Sequence, residues 1–349
     1  MKDGIIEGVW YPVEAPGYIC ATGKPYHGSM RMGYQNNLLL FLDGGGLSWC
    51  THSAARPIGE EGVSAEGYYV NELGPVSVMH DRSGLTRADP WNLFKDWNVF
   101  VVHYATGDIH IGSSEFPYTS LQQEQKVLHH CGYRNFRLVL AAAKAHCPNP
   151  ERILIAGVSA GALAVAALAE DIIQEFPQCS AISCCVDGGL TYTNWNRIAM
   201  DVWNAPTSIT EKMTGPDMVL DCLIALNRKY GKQVQCLYIS STRDAVLAWF
   251  QKALDGEVPE YTADAGIRYQ KNLTNTCLKL IEEVPEAGVY IYANPCRDVD
   301  LDPALGLTQH TILLAENIIE SGENRPSVMQ WLWDCVHGRT SKVGLELLG

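Results

Sequence analysis

Ser159 stands in Gly157-Val158-Ser159-Ala160-Gly161, between the apolar run Ile153-Leu154-Ile155-Ala156 and an Ala-rich segment opening at Ala162. A strand, a tight turn and a helix in that order make a GxSxG elbow. The serine occupies a strained turn that projects its hydroxyl, and glycines two before and two after are needed because a Cβ there would strike the neighbouring strand or helix. A serine hydroxyl is a weak nucleophile near neutral pH, so a histidine must take its proton and a carboxylate must hold that histidine in the right tautomer. Attack on an ester or amide carbonyl creates an oxyanion, which needs two preplaced N–H donors. One is the backbone of Ala160, directly after the serine. The other is expected from the loop Asp43-Gly44-Gly45-Gly46-Leu47-Ser48-Trp49-Cys50, whose glycines let amides face a bound carbonyl unobstructed; Gly45 and Gly46 are the candidates.

The elements that must position these groups read as alternating strands and helices. Apolar runs bounded by Gly, Asn, Asp or Pro recur at Leu38 to Leu42, Val99 to Tyr104, Ile153 to Ala156, Ala181 to Val186, Cys236 to Ser240 and Val289 to Ala293. Between several of them lie segments with helical apolar spacing: Phe136 to Ala145, Ala162 to Phe176 and Ile312 to Ile319. Such alternation implies parallel strands joined by crossover helices, hence an α/β fold with a mostly parallel sheet flanked by helices. In α/β-hydrolases the triad follows the chain order serine, acid, histidine, with acid and base in loops beyond later strands. Asp244, four residues past the strand ending at Ser240, is the expected acid; its plainer role is to cap the helix starting near Ala245. His310, between the strand Val289 to Ala293 and the apolar segment Ile312 to Ile319, is the expected base. The other histidine after Asp244, His337, reads as a helix end. Asp187 is a rival carboxylate, and Asp298, Asp300 and Asp302 read as an acidic solvated loop rather than a cation site.

Composition narrows the function classes. A net charge of −13 over 349 residues, without clustered Lys and Arg, excludes the basic footprint of a nucleic-acid binder. The longest nearly uncharged stretch, Ile153 to Leu168, is broken by Gly157, Ser159 and Gly161 and falls short of the roughly 20 apolar residues a bilayer requires, so no membrane span is expected. Met1 to Glu7 lacks the charged-then-apolar layout of a signal peptide. Twelve cysteines include no CxxC pair, so neither a zinc site nor a redox motif is expected, and they are either paired or small buried hydrophobes. No repeat or Pro/Ser-rich linker divides the chain, and residues 1–349 read as one domain. Residues 190–232 interrupt the rhythm with Trp195, Trp203, several methionines and two prolines, and read as a helical, cap-like insertion near the site.

Several segments in shared order resemble the pectin acetylesterase family, which also includes the animal Notum carboxylesterases. Leu40 to Gly46 through Trp49-Cys50 is similar to its oxyanion loop; Trp97-Asn98, Val101 to Tyr104 and Thr106-Gly107-Asp108 to its next strand and turn; Gly132-Tyr133-Arg134-Asn135-Phe136 to its Arg-Asn stretch. The elbow and Asp187-Gly188-Gly189 also match. The resemblance spans most of residues 36 to 315 and implies an α/β-hydrolase that removes acyl groups from oxygen by a Ser-His-Asp mechanism, without metal or cofactor. By that pattern Ser159 is nucleophile, Asp244 acid and His310 base. Ala162 replaces a usual second glycine, and Leu47-Ser48 lengthens the oxyanion loop.

The first expectation is therefore a serine esterase acting on an acetyl or other short acyl ester, of a small molecule or a carbohydrate. The negative charge disfavours encounter with an anionic polysaccharide such as pectin. A second reading is a lipase-like or polyester-cleaving carboxylesterase in which Trp49, Trp195 and Trp203 line an acyl pocket, although tryptophans at such positions are more often core. A catalytically silent binding protein is the reading outside enzymes.

Overall fold

A computed structural model describes residues 4–59, 63, 67–74, 83–297 and 300–349. Its main sheet has nine strands: β1 (Trp10–Ile19), β2 (Pro25–Arg31), β3 (Asn37–Leu42), β4 (Asn98–Val102), β7 (Arg152–Val158), β8 (Ile182–Asp187), β9 (Val234–Ser241), β10 (Gly288–Tyr292) and β11 (Lys342–Val343). The order across the sheet is β1-β2-β4-β3-β7-β8-β9-β10-β11, with β5 (Ser114–Thr119) and β6 (Gln125–His130) forming a separate antiparallel hairpin. β1 and β2 run antiparallel at one edge, and from β4 onward neighbouring strands are parallel.

The six apolar runs become six central strands because a parallel sheet is covered on both faces, so successive residues on either side must be apolar. In β3, Leu38, Leu40 and Leu42 enter one core while Leu39 and Phe41 enter the other. The larger core lies under the helices Gly132–His146, Ala160–Glu175, Met218–Tyr230, Ala245–Leu254 and Ala263–Glu283. The opposite face is covered by the helix Val328–Val336 and by irregular chain around Leu85 to Trp97 and Ile312 to Ile318. β1 and β2 carry Pro12, Pro16, Gly17 and Gly28, residues that mask strand periodicity, and the β1–β2 register shifts between Glu14 and Ile19.

One expected helix is not formed. Ile312 to Ile319 is irregular except for a 3-10 turn at Glu316–Ile319. Thr311 adopts φ 54°, and the N–H groups of Ile312 and Leu313 bond the Asp187 carboxylate at 2.7 and 2.8 Å, which fixes those donors outside any helix start. Within residues 190–232 lie the helices Trp195–Asp201, Thr207–Thr210 and Met218–Tyr230, the last packing into the larger core. All twelve cysteines are thiols, eight of them buried. Among the described residues no helix is long and apolar enough to cross a membrane.

Asp217 caps the helix Met218–Tyr230. One carboxylate oxygen accepts Leu220 N–H at 3.1 Å and the other the Thr276 hydroxyl at 2.6 Å. Burial nevertheless pushes its carboxyl up from 3.8 to about 6, against these two hydrogen bonds. The folded state thus holds this proton more tightly than the unfolded chain does. The stability it contributes is full below the ordinary carboxylate range and is lost as pH rises through about 6. Asp217→Ala should lose about 1–2 kcal/mol of stability through the cap. Asp217→Asn, which does not titrate, should show a smaller deficit against wild type at about pH 7.5 than at about pH 4.5 in thermal unfolding.

Candidate active site

The elbow forms where β7 leaves the sheet. Val158 ends the strand, Ser159 turns with φ 54° and ψ −124°, and the helix Ala160–Glu175 begins at once. A serine in that backbone region stores about 1–3 kcal/mol of strain and persists only where its surroundings dictate it. Here they do. Ser159 N–H donates to Asp187 O at 2.9 Å, and Ser159 O accepts Ala162 N–H at 2.8 Å. A Cβ on Gly157 would lie 2.5 Å from Gly161 O and 2.9 Å from Leu42 O, and one on Gly161 would collide with the Leu42 carbonyl. The first-turn amides of this helix, Ala160 among them, carry the positive end of its dipole beside the serine.

His310 and Asp244 are brought together from 66 residues apart: His310 Nδ1–H donates to Asp244 Oδ2 at 2.8 Å. The Asp244 side chain is fully buried and that of His310 is 12% exposed. Asp244 also caps the helix Ala245–Leu254, its Oδ1 accepting Leu247 N–H at 2.9 Å. Capping and pairing are thus one arrangement, one oxygen for each. The two loops are fastened at Thr308: its N–H donates to Arg243 O at 2.9 Å, its carbonyl accepts Ala245 N–H at 3.1 Å, and its hydroxyl bonds Ser241 Oγ at 2.9 Å. Gln309 N–H adds a bond to Asn294 O at 2.9 Å. The histidine ring rests against the turn after β8, where a Cβ on Gly188 would lie 3.3 Å from His310 Cε1.

Beyond β3, the glycine that meets the serine is Gly44: a Cβ there would lie 2.7 Å from Ser159 Cβ and 2.6 Å from Val158 O. Gly45 lies against the Tyr104 ring, and Gly46, at φ 76°, against the Tyr68 carbonyl. The Gly45 carbonyl accepts Val70 N–H at 2.8 Å and the Gly46 carbonyl the Tyr104 hydroxyl at 2.7 Å. Further along, Ser48 O accepts Trp203 Nε1–H at 2.7 Å.

Beneath this loop is a buried network that sequence reading did not assign. His103 Nδ1–H donates to Asp43 Oδ2 at 2.8 Å, and His103 Nε2 lies 2.8 Å from Ser29 Oγ. His110, in the left-handed region at φ 60°, donates from Nε2 to Asp43 O at 2.8 Å. Burial pulls the His110 pKa down, against the favourable Asp43 carbonyl and the Asp108 charge, and so favours the neutral ring. Asp108 in turn accepts Thr106 Oγ1–H at 2.6 Å and Gly132 N–H at 2.8 Å. The one sequence signal was an acidic residue directly before three glycines.

The family model for pectinacetylesterase matches residues 14–204, more than half of the chain. The chain belongs to the pectinacetylesterase family. No curated protein matches it. Membership supports hydrolysis of an acetyl ester as the class of reaction. The matched stretch contains the glycine loop, Ser159 and Asp187, while Asp244 and His310 lie beyond it.

Trp195 and Trp203 are 1% and 0% exposed, with rings 6.1 Å apart, so neither indole presents surface to a ligand in this conformation. Trp49 is half-buried and meets Tyr68 edge to face at 5.2 Å. Asp187 bonds backbone amides and not the Nδ1 of His310. His337 ends its helix, with Nδ1 bonding Trp333 O at 2.8 Å. Asp302 caps a 3-10 turn through Ala304 N–H, Asp298 lies outside the described residues, and no metal-holding cluster occurs among the described ones. Gly44→Ala is expected to lower both the thermal midpoint and the fluorophosphonate labelling rate at Ser159. The added methyl meets backbone and the serine itself, and a displacement near 1 Å costs about a hundredfold in rate.

Proposed function

We propose that this protein is a serine esterase of the α/β-hydrolase fold, with Ser159, His310 and Asp244 as its triad, that removes a short acyl group, acetyl foremost, from an oxygen. The observation that carries the reading is the 2.8 Å bond between His310 Nδ1 and Asp244 Oδ2, made beyond the carboxyl ends of the parallel strands, the end at which the Ser159 elbow also lies. With Nδ1–H held by the carboxylate, Nε2 of His310 is the basic nitrogen. It takes the Ser159 proton as Oγ attacks the ester carbonyl. The oxyanion is held by backbone N–H groups, those of Ala160 and of Gly45 or Gly46. Collapse expels the alcohol, which receives the proton from His310, and a water activated by the same ring releases the acid and regenerates Ser159.

The acidic surface favours a small or neutral ester over an anionic polymer, since like charges slow encounter. Half-buried Trp49 beside the glycine loop is the remaining candidate for the acyl wall.

Ser159→Ala should lower kcat on p-nitrophenyl acetate by about 10⁴-fold or more with little change in thermal midpoint. Asp244→Asn keeps an oxygen for the Leu247 cap yet disturbs the histidine tautomer, so kcat should fall by about 10³–10⁴ while stability holds. Turnover retained by Ser159→Ala would refute the triad. Faster hydrolysis of palmitoyl than of acetyl esters would replace the short-acyl reading with the lipase-like one.

A further inference from the structure

Asp187 ends β8 and is completely buried. Its backbone carbonyl accepts Ser159 N–H at 2.9 Å. Its carboxylate Oδ2 accepts the N–H groups of Ile312 and Leu313 at 2.7 and 2.8 Å, two and three residues past His310. The next residue, Gly188 at φ 69°, packs on both His310 and Thr311: an added Cβ would stand 2.9 Å from Thr311 Cγ2 and 3.3 Å from His310 Cε1. Thr311 itself takes φ 54°, a conformation that β-branched residues avoid unless held there. One residue thus touches the elbow through its main chain and the histidine loop through its side chain. Asp244 already occupies Nδ1 of the ring, so the role of acid is taken.

We propose that Asp187 is a positioning residue that locks the His310 loop to the Ser159 elbow, keeping base and nucleophile in register. This rests on the serine-esterase reading above. Oδ1 of Asp187 has no hydrogen-bond partner among the described residues, so the carboxylate is anchored from one side only, by the loop it holds. Its electrostatic setting couples it to the same ring. Burial pushes its carboxyl up to about 7; the two amides and His310 favour the ionised form, while Asp244 opposes it. Burial raises Tyr269 and Cys185 above their ordinary range, and the Asp187 charge reaches both and adds to the rise.

The test compares Asp187→Ala and Asp187→Asn with wild type and Ser159→Ala on p-nitrophenyl acetate, measuring kcat, KM and thermal midpoints. Asp187→Ala should lower kcat about a hundredfold while KM stays within about twofold, because a base displaced by about 1 Å still lets substrate bind. Asp187→Asn keeps one acceptor oxygen for the two amides and should recover about tenfold of that loss. Wild-type kcat in Asp187→Ala overturns the proposal, and so does a loss of activity carried by KM rather than by kcat. If Asp187→Ala does not fold, Asp187→Asn alone decides; if that too fails to fold, the carboxylate serves stability and the proposal is overturned. Activity surviving in Ser159→Ala removes the serine reading itself, whereas an inactive Ser159→Ala beside an unaltered Asp187→Asn removes only the role of Asp187.

Discussion

Leu42 and Val158 end neighbouring parallel strands, and the chain leaving one must pass almost in contact with the chain leaving the other. The Leu42 carbonyl meets Gly157 and Gly161, and Gly44 meets Ser159. No side chain fits between these backbones, so the spacing of glycines around the serine follows from strand separation. The same closeness forces Ser159 into the left-handed region and presents the first amides of the following helix beside its hydroxyl. Each later loop of the site is arranged around this fixed crossing.

Asp43, Asp187 and Asp244 are buried near that crossing, each held by different donors. Asp43 is matched by His103, Asp187 by two main-chain amides, and Asp244 by His310 together with a helix cap. Burying a carboxylate costs several kcal/mol unless hydrogen bonds offset it. At Asp187 burial outweighs the two amides and His310, and the carboxyl is pushed up to about 7. That imbalance leaves its charge responsive to whatever charge arises on the neighbouring imidazole.

Much of this was legible in the sequence, for physical reasons that also explain the rest. Strands covered on both faces must be unbroken apolar runs, so β3, β4 and β7 to β10 declared themselves. β1 and β2 did not, because proline and glycine interrupt them. Ile312 to Ile319 has helical apolar spacing but starts from a strained threonine whose following amides are claimed by Asp187, a partner 125 residues away. Asp244 could be read as a cap or as a partner of His310, and it is both. The Asp43–His103–Ser29 network gave no local pattern, since its members lie 60 and 74 residues apart and meet only through the strand order β2-β4-β3.

Thr308 fastens the histidine loop to the segment Arg243 to Ala245, so the Asp244–His310 pair is a unit made wholly from the later part of the chain, while the glycine loop and Ser159 come from the earlier part. During vectorial synthesis the serine of the proposed triad is therefore made well before its proposed acid and base. On the proposed reading, the hydroxyl has no base until residue 310 has emerged and its loop has packed on the end of β8. Competence for the proposed chemistry is in this way tied to completion of the sheet.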